Sequence, residues 1–374
     1  MTAAVDAVPE DAVLEDAVPE IVPATDAVDT DVHCAPAALG DLSRFMDRYW
    51  RGYVAESGLA LSPTQGGAYP PMAPTSLTPA ARAVATTPPT SVERLRAELL
   101  DPQAVRTAVL NCTTPFHSNR NPYYEAALAR AVNDWLREEW LPRDDRLRMS
   151  MVVPTLDTAA AVAEIERIGD EPGVVQVLLP VRGDAPWGNV RHRPVLRAAA
   201  ERGLVVGVHA WGRTGNAPTS SGMTRTYLED YLANSQIIAQ AQVTSLVTEG
   251  VFAELPDLRV TLLECGSSWL PTLLWRFDKD WKGVWREVPW LDRRPSEVVR
   301  EHLRLTTAPA HLPADPQRAR RALDLFDAAD VLLHASDHPH DHGPGGQRLL
   351  AALTPDERER VLRANATAWY RLDP

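Results

Sequence analysis

The sequence predicts an α/β fold, a (β/α)8 barrel of the TIM type, and two observations carry that reading. Short apolar runs of strand type alternate with helical stretches along most of the 374 residues, the mark of parallel βαβ units. Several of those runs also end in a metal-ligand residue type: Val28 to His33, Gly203 to His209, Arg259 to Glu264 and Val331 to Asp337. A carboxylate at the exit of a buried strand is costly unless something cationic sits there. Barrel enzymes gather their active-site residues at the C-terminal ends of the strands.

The elements follow in order. Val28 to His33 is the first strand. In Asp41 to Tyr53 the residues Leu42, Phe45, Met46 and Tyr49 fall at helical spacing. Leu59 to Thr90 is rich in Pro, Ser and Thr and reads as an irregular excursion, of the kind that serves as a lid or a subunit contact. Strands are then expected at Ala104 to Cys112, Leu147 to Val153, Val174 to Leu179, Leu204 to His209, Val260 to Glu264, Leu303 to Thr307 and Val331 to Ala335. Between them lie helical stretches at Tyr123 to Trp140, Thr158 to Ile168, Val195 to Arg202, Leu228 to Phe252, Leu270 to Trp281 and Pro316 to Phe326, and Pro355 to Tyr370 closes the chain. Eight strands of this kind suggest a closed barrel rather than an open sheet.

Composition sets outer limits. The hydrophobic fraction of 45% supports a large core, and a net charge of −12 with no compensating basic stripe argues against a nucleic-acid partner. No apolar run approaches a membrane span. Three scattered cysteines, Cys34, Cys112 and Cys265, suit neither a disulfide framework nor a Cys-based zinc site, so a reducing cytoplasm is expected. Residues 1–26 carry seven acids, no Lys or Arg and a near-repeat of Asp-Ala-Val-Pro-Glu. That is unlike a secretory leader and reads as a disordered acidic tail without a catalytic role. The barrel then spans residues 27–374, with an insertion at about 35–98.

Asp29, Asp31 and His33 lie two apart on one strand, so their side chains share a side. Each step of two advances ~6.6 Å, which leaves Asp31 and His33 nearest the mouth. Hydrogen bonding inside a wet loop would explain a lone Asp-x-His. With His209, Glu264 and Asp337 at other strand ends, a metal site explains the carboxylates better.

These residues carry a resemblance. Asp31-x-His33, His209, Glu264 and Ser336-Asp337-His338-Pro339-His340 resemble the metal-dependent amidohydrolase superfamily, in the branch that includes aminocarboxymuconate-semialdehyde decarboxylase. Leu263 to Pro271 is similar to that branch's sixth-strand motif, and Asn365-Ala366 to its closing Asn-Ala. The resemblance implies metal binding by Asp31, His33, His209 and Asp337, with Asp337 also able to act as base. The sequence departs from the hydrolytic pattern at Asp31 and Glu264, where many members have His. Three carboxylates over-neutralise one divalent ion but not two. Carboxylate and imidazole together suit iron or manganese as well as zinc. This ligand character, and the segments Trp281-Lys282-Gly283 and Arg286 to Trp290, are similar to an offshoot of the superfamily, the non-heme di-iron monooxygenases typified by platensimycin and platencin biosynthesis.

Two readings of function result. In the first, Asp31, His33, His209, Glu264 and Asp337 hold two irons, and the enzyme uses O2 to hydroxylate a bulky apolar natural-product substrate in antibiotic biosynthesis. In the alternative, one ion, zinc or manganese, serves a hydrolase or decarboxylase with Asp337 as general base. A barrel used only for binding or scaffolding would not need the full ligand set. Around the core set, Asp29 is expected as a buried supporting acid. His340 is expected to orient Asp337, and His338 can reach metal or substrate. Glu229 is either a metal or substrate contact or a plain surface acid, and His342 is expected in solvent. Trp269 would wall an apolar pocket, and Arg213, beside Arg182 and Trp187 at the mouth, would hold a substrate anion or a loop salt bridge. His334 is either a ligand or a satisfied interior histidine. Core or subunit packing, of the kind a homodimer would use, explains Trp275, Trp281, Trp285 and Trp290.

Overall fold

A computed structural model of the chain describes residues 22–59, 88–113, 120–212 and 222–373. Eight parallel strands follow one another in chain order around the sheet: β1 (Val28–His33), β2 (Thr107–Asn111), β3 (Leu147–Val152), β4 (Val174–Arg182), β5 (Val205–Gly212), β6 (Val260–Leu263), β7 (Leu303–Thr306) and β8 (Leu332–Leu333). The segment after β8 returns to β1. Thr30 N–H donates to His334 O (3.0 Å), Asp337 N–H to Asp31 O (3.0 Å) and His33 N–H to His338 O (2.9 Å). The (β/α)8 barrel is therefore the fold.

The strands are apolar almost throughout because both faces are covered. Leu110, Val177, Val208 and Leu262 are fully buried, each worth about 1.5–3 kcal/mol over exposure. The helices begin where the chain supplies caps. Asn121 accepts the N–H groups of Tyr123 and Tyr124 ahead of Pro122–Trp135, and Asp157 does the same for Thr158–Ile168. Asn365 ties the closing helical segment to the last strand by donating to Ala329 O and Leu332 O.

Several elements differ from expectation, three of them most clearly. The helix read over Asp41 to Tyr53 is a 3-10 segment, Leu39–Phe45, and a separate helix, Arg48–Ser57. The Asp47 carboxylate accepts the Trp50 N–H and starts the chain afresh, leaving Tyr49 71% exposed. The long helical region after β5 is broken into Tyr227–Leu232, a π-helical turn Ala233–Ile237, Ile238–Thr248 and, past Gly250 at φ 72°, Val251–Glu254. The last strand keeps only Leu332–Leu333, because Ala328–Val331 forms a helical turn.

Within the barrel, the N-terminal ends of the strands are closed by the last helix, Asn365–Tyr370. Tyr370 O–H donates to Gln176 Oε1 (2.8 Å), Gln176 Nε2 donates to Ser150 Oγ (2.7 Å), and Trp369 Nε1 donates to Thr261 Oγ1 (3.0 Å). Gly207 makes room for this network, since a Cβ there would come within 2.4 Å of Gln176.

Of the expected acidic tail, residues 1–21 lie outside the described residues, as do 60–87 of the insertion and its expected lid or subunit role. Val22 to Asp26 lie against the barrel. Val22 N–H donates to Gln347 Oε1, and Asp26 pairs with Arg363 at 2.6 Å.

Candidate metal centre

At the C-terminal ends of the strands the side chains converge. Asp31 and His33 come from β1, His209 from β5, and Asp337 from the turn after β8; all four are buried. One ligand atom from each of the four can be chosen so that all lie within 4.8 Å of one another. Asp337 and Glu264 both adopt left-handed backbone angles, φ 55° and 56°. Such strain costs about 1–3 kcal/mol in a non-glycine residue and collects at functional sites.

The contacts in this cluster lack hydrogen-bond geometry. His33 Nε2 is 2.8 Å from Asp337 Oδ1, and His209 Nε2 is 3.4 Å from Asp31 Oδ1, but neither pair is aligned as donor and acceptor. Asp31 Oδ2, His33 Nε2, both ring nitrogens of His209 and Asp337 Oδ1 are buried without a hydrogen bond. A buried polar group left so costs about 1–3 kcal/mol. Lone pairs aimed at a common point have a simple partner in a cation, and two carboxylates with two imidazoles are a donor set that fits manganese or zinc.

The surrounding groups hold the set in place. Asn111, at the end of β2, donates to Asp31 Oδ1 (2.7 Å). Asp337 Oδ2 lies 3.1 Å from His340 Nδ1 and 2.6 Å from His342 Nε2, leaving Oδ1 toward His33. Burial pushes the Asp337 carboxyl up, but the charge of His340 and the closeness of His33, His340 and His342 outweigh it and hold the group well below the usual range. Burial lowers His340, yet Asp337 raises it further, to about 9. His209 is likewise depressed by burial and raised by Asp31 and Asp337, with a net rise. Glu264 is pushed well up, first by burial and then by Asp337.

Other expected residues stand elsewhere. Asp29 accepts from Ser336 N–H (3.0 Å) and Asp31 N–H (3.3 Å) and braces the strand exit from outside the ligand cluster. His338 turns away to Glu98 Oε2 (3.1 Å) rather than to the cluster. Glu229 is exposed and caps its own helix, accepting from Arg225 N–H. Trp269 is buried and donates to Cys265 O (2.9 Å). Arg182 is buried on Asp230 (2.7 Å), and Arg213 lies outside the described residues. His334 is buried with Nδ1 unbonded. His342, expected in solvent, instead contacts Asp337, and Asn111 touches Asp31 though no sequence signal marks it. The signal for His342 was there in the loop: His338, His340 and His342 alternate, and the last two share a partner.

A narrow apolar cleft adjoins the cluster, lined by Glu125, Val152, Thr155, Leu178, Pro180 and Trp211 among others. Trp211 stands edge-on to His209, with ring centroids 5.8 Å apart.

The sequence model of a family described as amidohydrolase matches residues 28–372. The gamma-resorcylate decarboxylase of Rhodococcus jostii (strain RHA1) is 28% identical over 310 residues, covering 75% of this chain and 88% of that protein. Among solved structures, a 2,6-dihydroxybenzoate decarboxylase from Rhizobium superposes with a TM-score of 0.65 at 19% identity, covering 94% of this chain and 100% of that one. A dihydroxybenzoic acid decarboxylase from Polaromonas sp. JS666, with bound manganese and the inhibitor 2-nitroresorcinol, superposes with a TM-score of 0.64 at 18% identity, covering 94% and 98%. These relatives overturn the monooxygenase expected from the carboxylate-rich ligands: the curated relative that matches three quarters of the chain is a decarboxylase. Oxygen, an iron pair and an antibiotic-biosynthesis setting were called for by that reading alone. The error lay in reading redox chemistry from ligand charge, which sets the demand for cations and not the reaction.

Proposed function

We propose, because the chain belongs to the amidohydrolase family, that it is a metal-dependent decarboxylase of a hydroxylated aromatic acid. The observation that carries the metal half of this reading is the buried quartet Asp31, His33, His209 and Asp337 with its unbonded polar atoms. The decarboxylase relatives support the other half. Those four residues would hold one divalent ion, manganese or zinc. When bound, the ion supplies a positive centre that fixes an anionic substrate and polarises its oxygen atoms.

The protein's own groups then have distinct tasks. Trp211, edge-on to His209 with ring centroids 5.8 Å apart, would pack beside the substrate's aromatic ring. Loss of CO2 breaks the bond between ring and carboxyl carbon and leaves its electron pair on the ring, where a proton must replace the lost group. Asp337 delivers that proton, drawing it from His340 through their hydrogen bond at Oδ2. Asn111 and Asp29 keep the first strand's exit in register. Trp275, Trp285 and Trp290, about half exposed, suit a homodimer contact. The free, buried Cys34, Cys112 and Cys265 suit a cytoplasmic setting. No helix among the described residues is long and apolar enough to cross a membrane.

The test is turnover of 2,6-dihydroxybenzoate and related ortho-hydroxy aromatic acids by the full chain. CO2 release that stops on chelation, returns with manganese and consumes no oxygen is expected. Turnover indifferent to chelation, or no CO2 from any such acid, would sink the proposal.

A further inference from the structure

We propose that Arg182 and Asp230, paired at the barrel mouth, read a neutral ring hydroxyl of the substrate, one that donates to Asp230 Oδ2 and accepts from Arg182 Nε. The inference rests on the aromatic-acid reading above and assigns residues to its choice of substrate.

The strand places Arg182. Gln176, near the start of β4, is bonded inside the barrel to Ser150 and Tyr370. Side chains two apart share a face, so Leu178, Pro180 and Arg182 follow it along the inner wall. Pro180 pairs with His209 in the register of β4 and β5. Arg182 pairs with Gly212, a step of ~6.6 Å nearer the mouth. Gly212 makes room for it, since a Cβ there would come within 2.2 Å of Arg182 Cβ. The backbone leading to Arg182 is braced by buried side chains. Trp187 Nε1 donates to Pro180 O (2.7 Å), and Gln242 Nε2 donates to Val181 O (2.7 Å).

The pair is buried yet only half satisfied. Arg182 Nη2 donates to Asp230 Oδ1 (2.7 Å), which also accepts from Thr224 Oγ1 (2.9 Å). The two side chains are only 6% and 9% exposed. A guanidinium and a carboxylate frequently join through two parallel bonds. Here Arg182 Nε and Asp230 Oδ2 are instead left buried without a hydrogen bond. One is a donor and the other an acceptor, and the guanidinium fork sets Nε–H beside the Nη2 that holds Asp230. A hydroxyl on the ring can satisfy both, because it donates and accepts at once. The pair has no net charge, so an added carboxylate would meet repulsion at Oδ2. An ether oxygen would leave Oδ2 unpaired. A site of this kind discriminates strongly, because the wrong group leaves buried polar atoms without a partner.

The test uses the manganese-loaded full chain, with calorimetric affinity and kcat/KM for CO2 release as readouts. The probes are salicylate, the dihydroxybenzoates that add a second hydroxyl at each remaining ring position, their methyl ethers at that position, and the matching dicarboxylic acids. One dihydroxy acid is expected to exceed salicylate at least about 100-fold, with its ether and its dicarboxylic counterpart no better than salicylate. In Asp230→Asn and Arg182→Lys, checked by circular dichroism, that preference should fall at least about tenfold. CO2 release with equal treatment of salicylate and every dihydroxy acid overturns this inference and leaves the decarboxylase standing. Selective binding with no CO2 from any acid upholds the hydroxyl site and overturns the decarboxylase. A preference kept in full by either folded variant overturns the site, and no binding of any acid overturns both. Should one variant fail to fold, the other decides, and the ethers test the same contact in the unaltered protein.

Discussion

The two ends of the barrel treat buried polar atoms in opposite ways. At the N-terminal ends of the strands, Tyr370, Gln176, Ser150, Thr261 and Trp369 bond to one another. At the C-terminal ends, five buried atoms of Asp31, His33, His209 and Asp337 go without a hydrogen bond. Asn111 stands between, donating to Asp31 and lying 3.5 Å from Gln176 Nε2. The contrast separates two uses of buried polarity. A satisfied network fixes one packing of the core, whereas converging unsatisfied atoms are what a cation would need around it.

If that division is right, substitutions at the two ends should fail in different currencies. The largest effect is expected for Asp337→Asn, which should lower kcat by roughly 10²–10⁴, as loss of a positioned proton carrier does. Circular dichroism should be unchanged, and steady-state decarboxylation would measure the loss. Removing the metal should act on stability as well. With free manganese at about 100 times its Kd, the loaded protein should resist unfolding by about 2.7 kcal/mol more than the stripped one. Calorimetry with and without chelator checks this, and equal melting curves would blur the contrast.

At the satisfied end, Tyr370→Phe removes the hydroxyl that reaches Gln176 and Thr261. Denaturant unfolding should show a loss of about 1–3 kcal/mol, with manganese content and KM unchanged. The smallest effect concerns acid stability away from both ends. Hydrogen bonds from Arg320, together with those of Thr354, hold Glu357 down at about 2. A depressed carboxyl contributes stability above its ordinary value and loses that contribution as pH falls through its folded pKa. The melting temperature should therefore drop between about pH 4.5 and 2, and Glu357→Gln should remove that part of the slope without touching the metal.

The barrel was legible, and so was the meeting of Asp31, His33, His209 and Asp337 at its mouth, because both rest on local pattern. Strand runs buried on both faces read mainly as Val and Leu, and each of the four residues sits toward or just past the end of one of them. What escaped depends on side-chain direction in loops. His338, His340 and His342 look alike in the sequence, yet one faces Glu98 and two face Asp337. Asn111 ends a strand without an unusual residue type to announce it. Trp269 reads as a pocket aromatic, and its buried indole is held by Cys265 O, a bond no sequence signal announces. The reaction was the least legible part, since the same oxygen and nitrogen ligands serve several chemistries.

The central claim is that the unbonded atoms at the mouth are cation ligands. Anomalous difference density from a crystal of the manganese-loaded full chain tests it most directly. The account predicts a peak enclosed by Asp31, His33, His209 and Asp337. A quartet filled by ordered water alone, with manganese absent or bound elsewhere, would contradict it.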